Sequence, residues 1–146
     1  MGKIESFEEL KVWALARELA KDIFSITQEG LLSKDFALKD QINRSSGSIM
    51  DNIAEGFERG GNKEFIQFLF IAKASAGETR SQLYRCFDRG YLGQSKLNEL
   101  LGKVSDVGKQ LSEFIHYLKK SQLKGETYYL GEPLEKMATT ILNFES

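Results

Sequence analysis

With 146 residues, 41% of them apolar, and a net charge of −1, the chain fits one domain with enough apolar material for a core. A single cysteine, Cys86, excludes an intrachain disulfide, and a single proline, Pro133, leaves most of the chain open to long helices, which argues against an all-β fold. No apolar run approaches the roughly 20 residues that span a bilayer, and no basic segment followed by an apolar stretch opens the chain, so a soluble, cytoplasmic protein with no membrane partner is expected.

Ser6 can cap a first helix, with Glu8 and Glu9 in its first turn where carboxylates suit the positive end of the dipole. Leu10, Trp13, Ala16, Ala20 and Ile23 follow at three- and four-residue steps, so this helix is expected over 6–28, with Gly30 as its stop. Ser33 or Asp35 caps the second helix, which continues to about Phe57 with Gly56 at or near its C-terminal cap. Within it Ile42, Ser46, Ile49, Ile53 and Phe57 share one side, and Arg44, Ser48, Asp51, Asn52 and Glu55 another. The small residues Ser45, Ser46 and Gly47 interrupt the apolar pattern, as close approach of a neighbouring helix would require.

Arg59 to Asn62 forms a turn, and Asn62 can cap the third helix. There Phe65, Leu69, Ala72, Ala76, Thr79, Leu83 and Phe87 make a core stripe. A second line, Ile66, Phe70, Gly77 and Tyr84, makes the start of this helix apolar nearly all round, more than an outer helix of an isolated bundle can bury. A subunit interface on that line is expected. Gly90 ends the helix, and Leu97, Leu101, Val104, Leu111, Ile115 and Leu118 define a fourth, to Ser121. Four helices joined by short loops predict an all-α, up-down-up-down antiparallel four-helix bundle over 1–121. A C-terminal tail over 122–146 holds Gly125, Tyr128, Tyr129, Gly131 and Pro133, with a short helix expected over 134–142.

Charge is unevenly placed. Residues 1–58 hold 7 basic and 11 acidic side chains, 59–124 hold 12 and 6, and 125–146 hold 1 and 4. A basic middle between acidic ends either binds an anion or pairs with its own ends, and pairing is the simpler reading.

Phe7, Leu10, Val12-Trp13, Ala16 and Leu19, then Phe36, Leu38, Gln41-Ile42, Arg44, Ser48-Ile49, Asn52-Ile53-Ala54-Glu55-Gly56 and Arg59, then Phe65, Phe68-Leu69, Ile71-Ala72, Glu78, Gln82-Leu83 and Gly90-Tyr91 resemble the four-helix-bundle family encoded in intervening sequences of 23S rRNA genes. The resemblance covers residues 6–120 and implies assembly as a homopentamer. It also implies kinship with the accessory proteins of diversity-generating retroelements, basic pentamers that bind nucleic acid and a reverse transcriptase. Two features depart from that pattern: the chain reads Ala74-Ser75-Ala76-Gly77-Glu78 where the family tends to Gly-Ser before the glutamate, and its balance is acidic.

No reaction follows from these residues. His116 is the only histidine, so a zinc site lacks ligands, and Cys86 beside Phe87 reads as a buried structural thiol. Gly60-Gly61-Asn62-Lys63 lacks the spacing of a phosphate loop. Asp51, Glu55 and Glu78 could project between helices as metal carboxylates, but a di-iron bundle also needs Glu-x-x-His pairs. The expected alternative is a polar network in which Asn52, Glu55 and Glu78, with basic neighbours, tie the second helix to the third. A non-enzymatic oligomer acting by binding is therefore expected, without cofactor, metal or small-molecule substrate. Its partner would be RNA or a nucleic-acid-handling protein, contacted through Arg59, Lys63, Lys73 and Arg80 repeated around the oligomer axis. The alternative is a protein-scaffolding oligomer with no nucleic-acid contact, which the acidic balance favours.

Overall fold

In the computed structural model, which describes residues 4–123, the first element is a capped turn. The Glu9 carboxylate accepts hydrogen bonds from the backbone N–H groups of Glu5 (2.8 Å) and Ser6 (3.0 Å), closing a 3-10 turn over Phe7–Glu9. Leu10 is extended and completely buried, so helix α1 spans Lys11–Thr27 and does not start at Ser6. Phe7 packs edge-on against Trp13, ring centroids 5.1 Å apart. The bend at Leu10 thus serves apolar contacts that helical periodicity does not register.

Gly30, with φ 58°, reverses the chain into a 3-10 turn over Leu31–Lys34. Asp35 then caps α2, Phe36–Glu58, its Oδ1 accepting the Leu38 N–H at 3.3 Å. Gly56 is not the cap that its position suggested. It lies inside α2, buried, and a Cβ there would sit 2.6 Å from Phe68 Cβ and 2.9 Å from Phe65 Cδ1. The turn falls instead to Gly60, with φ 85°. Asn62 is likewise the first residue of α3, Asn62–Asp88, with Gly61 in the cap position.

Gly90, with φ 77°, closes α3. Its N–H bonds the Phe87 carbonyl at 2.9 Å while the Tyr91 N–H reaches back to Cys86, also at 2.9 Å, the paired bonds of a Schellman ending. Helix α4 spans Gln94–Leu123, two residues past the expected end. The tail, with Tyr128, Tyr129 and the expected helix over 134–142, lies outside the described residues.

The described residues form four α-helices and no strand. Each packs on two others, α1 on α2 and α4, α3 on α2 and α4, as in a four-helix bundle. Ile23, Ile42, Ile49, Ile53, Phe65, Leu69, Leu83, Leu111 and Phe114 are completely buried at its centre, with Phe65 and Phe114 edge-on at 5.2 Å. Of the small residues in α2, Ser45 and Ser46 are buried, but Gly47 has no neighbour within 4 Å of its Cβ position, so it marks no close approach. No described helix is long and apolar enough to cross a membrane.

Candidate functional site

Polar residues on α2 and α3 meet along the seam between these helices. Ser45 Oγ donates to Gln82 Oε1 at 2.6 Å and accepts from Thr79 Oγ1 at 2.8 Å, all three residues buried. The Ser48 and Ser75 hydroxyls share a hydrogen bond at 2.9 Å, and Asn52 Nδ2 donates to Ser48 Oγ at 2.9 Å and to its carbonyl at 2.7 Å. Asn52 is therefore attached to an inter-helix network, but serine, threonine and glutamine carry it across. Glu55 pairs with Arg59 at 2.9 Å on the exposed surface of its own helix, where such a pair contributes little. Glu78 is exposed and borders a shallow depression with Gln41, Arg44, Ser45 and Ser48. Neutral hydroxyls can be buried at the seam in place of carboxylates because they donate and accept without the cost of desolvating a charge.

Among the described residues, no three or more histidine, cysteine, aspartate or glutamate side chains are grouped to hold a metal ion. Asp51 and His116 are exposed. Cys86 is completely buried, and burial pushes its thiol up to about 11, far from the thiolate a nucleophile needs.

One charged cluster joins the start of α2 to the end of α3. Asp35 Oδ2 accepts from Tyr91 Oη at 2.8 Å and from Arg89 Nη1 at 2.6 Å. The Tyr91 hydrogen bond, then that of Arg89, holds the Asp35 carboxyl below its usual range, and the Asp35 hydrogen bond raises both partners. On the other side Lys103 pairs with Asp22, tying α4 to α1, and this hydrogen bond raises Lys103. Both clusters are clamps between elements.

An open groove of about 560 Å3 runs between α3 and α4. Lys73, Ala76, Gly77 and Arg80 form one wall, and Val104, Ser105, Gly108, Lys109 and Ser112 the other. Its depth has a local cause. Cβ atoms at Gly77 and Gly108 would meet nothing within 4 Å, so the two glycines face open space. Three cations line the groove and no carboxylate does. Lys109 stands on a ridge, because it also borders a second depression with Lys11, Asp106 and Glu113 on the α1 side.

Of the four cations expected to contact nucleic acid, Lys73 and Arg80 share this groove. Arg59 and Lys63 lie at the α2–α3 turn, where the Arg59 guanidinium sits 5.0 Å from the Phe68 ring centroid and is held by Glu55. Lys109, which is not among the four, completes the lining beside the mid-helix glycine Gly108. Of the expected interface line, Ile66 is only 8% exposed and belongs to the core of its own chain. Phe70 and Tyr84 are 43% and 44% exposed. Gly77, between them, floors the groove.

A similar fold occurs in the crystal structure of a protein of unknown function from the S23 ribosomal protein family of Bacteroides thetaiotaomicron. The two chains are 25% identical and superpose with a TM-score of 0.68, covering 72% of this chain and 95% of that one. No curated protein matches the sequence. The family model described as 23S rRNA-intervening sequence protein matches residues 8–113, which take in α1 to α3, most of α4 and the lining of the groove, and the chain therefore belongs to the 23S rRNA-intervening sequence protein family.

Proposed function

We propose that this protein is a non-enzymatic, cytoplasmic bundle that acts by binding RNA through the groove between α3 and α4. The observation that carries this reading is the lining: Lys73, Arg80 and Lys109 converge without a carboxylate among them, on a chain whose net charge is −1. A local concentration of cations on a slightly acidic protein attracts a polyanion to one place instead of coating the surface. The neighbouring hydroxyls of Ser105 and Ser112 add hydrogen-bonding groups for phosphate oxygens. Assembly as a homopentamer, implied by the family resemblance, repeats the groove around an axis and multiplies modest affinity. In this reading the subunits meet through other surfaces, such as the α3 flank where Ile71 is 48% exposed.

A protein-scaffolding oligomer without nucleic-acid contact is the second reading, and the half-exposed Phe70 and Tyr84 favour it. A second copy covering those rings would also cover the groove between them. The experiment is mass in solution by light scattering, with and without a mixed RNA pool, at low and high salt. The RNA reading expects an oligomer that gains RNA mass at low salt and loses it at high salt, with the gain abolished in a Lys73→Glu, Arg80→Glu variant. An oligomer indifferent to RNA at every salt concentration leaves the scaffold, and a monomer removes the assembly.

A further inference from the structure

Beyond the basic lining of the groove, α3 carries two half-exposed aromatic residues, Phe70 and Tyr84. Phe70, Gly77 and Tyr84 are seven residues apart and fall within about 40° on the helix, so the two aromatic rings flank the glycine that floors the groove. The rings lie about 10 Å to either side of Gly77 along the axis, at 1.5 Å per residue. Lys73 and Arg80 occupy the intervals between them on the same side of α3. From the facing helix, Lys119 Nζ reaches to 4.9 Å from the Phe70 ring centroid, which places Phe70 against the α4 side of α3. Aromatic ring, cation, open floor, cation and aromatic ring therefore succeed one another over about 20 Å of one helix.

We infer that this line is a binding track for single-stranded nucleic acid, with Lys73, Arg80 and Lys109 on successive phosphates and bases stacked on Phe70 and Tyr84. The inference rests on the RNA-binding reading and deepens it by naming the form of the ligand. A duplex presents phosphates but keeps its bases paired, so it leaves exposed rings without partners; an unpaired strand offers π-faces at the spacing of its backbone. The chemistry also accounts for a half-exposed phenylalanine and tyrosine beside an unshared row of cations. A two-fold contact of this face with its own copy would bring those cations into like-charge proximity with no carboxylate in the groove to receive them.

The test is anisotropy of a labelled 12-nucleotide RNA strand, alone and annealed to its complement, titrated with full-length protein in low salt. Binding is expected to be tighter for the single strand. Phe70→Ala and Tyr84→Ala should each weaken it about five- to a hundredfold, as loss of one stacked base does, with duplex affinity unchanged and Tyr84→Phe close to wild type. Lys109→Ala should weaken both forms and lower the salt slope for the single strand by about 0.7. Equal affinity for strand and duplex, insensitive to Phe70→Ala, would refute the track while leaving RNA binding in place. Absence of binding to either form removes both readings. Light scattering on Phe70→Ala gives an independent check: dissociation of the oligomer with unchanged affinity per chain makes Phe70 a subunit contact and overturns the inference.

Discussion

Thr79 Oγ1 and Ser45 Oγ lie 2.8 Å apart, a hydrogen bond between two buried hydroxyls that ties α3 to α2. Ser45 in turn donates to Gln82 Oε1 at 2.6 Å, while Thr79 also has the Ser75 carbonyl at 2.9 Å as an alternative acceptor. The two partners of Ser45 therefore depend on it unequally. Gln82 relies on that hydroxyl; Thr79 has somewhere else to turn.

Ser45→Ala should lower stability by about 1–3 kcal/mol, the cost of leaving a buried amide oxygen without its donor. Thr79→Val, which leaves the Ser45–Gln82 bond intact, should cost less, and Asn52→Ala at the partly buried outer end less again. Urea unfolding measures this as a lower midpoint at constant slope. An unchanged midpoint for Ser45→Ala would mean that the seam does not stabilise the fold.

Two glycines of α2 should respond to alanine in opposite directions. At Gly56 the added Cβ would lie 2.6 Å from Phe68 Cβ, and overpacking of about 1–3 kcal/mol outweighs the gain in helix propensity of about 1 kcal/mol. At Gly47 nothing lies within 4 Å of that position, so Gly47→Ala should stabilise by about 0.5–1 kcal/mol. Thermal melts of the two variants should bracket the wild type.

The Asp35 clamp should give stability a plateau in pH. Asp35 is held below its ordinary value, so its contribution is present above the unfolded carboxylate value of about 3.9 and is lost as pH falls through the lower folded value. Tyr91 is raised, first by its hydrogen bond to Asp35. Its contribution is present below about 10 and is lost as pH rises through the higher folded value. Melting temperature against pH should show both shoulders in the wild type. Tyr91→Phe should weaken the alkaline one, to which the raised Lys103 also contributes, and Asp35→Asn should weaken both.

Cys86 should be inert in the folded protein. Its thiol is fully buried and pushed up to about 11 by that burial, so a disulfide reagent at pH 8 should label it only after denaturant is added. Rapid stoichiometric labelling of the native chain would show that α3 opens near its C-terminal end.

The Schellman ending at Gly90, the Asp35 cap and the apolar stripes of four helices were legible in the sequence because each depends on residues within a turn or two of one another. A repeat of 3.6 residues and a glycine at positive φ are local properties. Of the stripe Phe65, Leu69, Ala72, Ala76, Thr79, Leu83 and Phe87, all are buried except the half-buried Phe87. Which residues meet between helices was not local. Ser45 finds Gln82 across 37 positions, and the expected partner Glu78 is turned outward beside the seam, a difference set by the rotation of α3 about its axis. Gly56 is a packing contact and Gly47 is not, although both are glycines in one helix, because only Gly56 faces Phe65 and Phe68. The groove likewise needs Gly77 of α3 and Gly108 of α4 to line the same open space. Sequence thus determined the helices and their apolar faces, whereas the rotation and offset of each helix against its neighbours, fixed by side-chain interlocking in the core, decided which polar groups came together and which cations share an open groove.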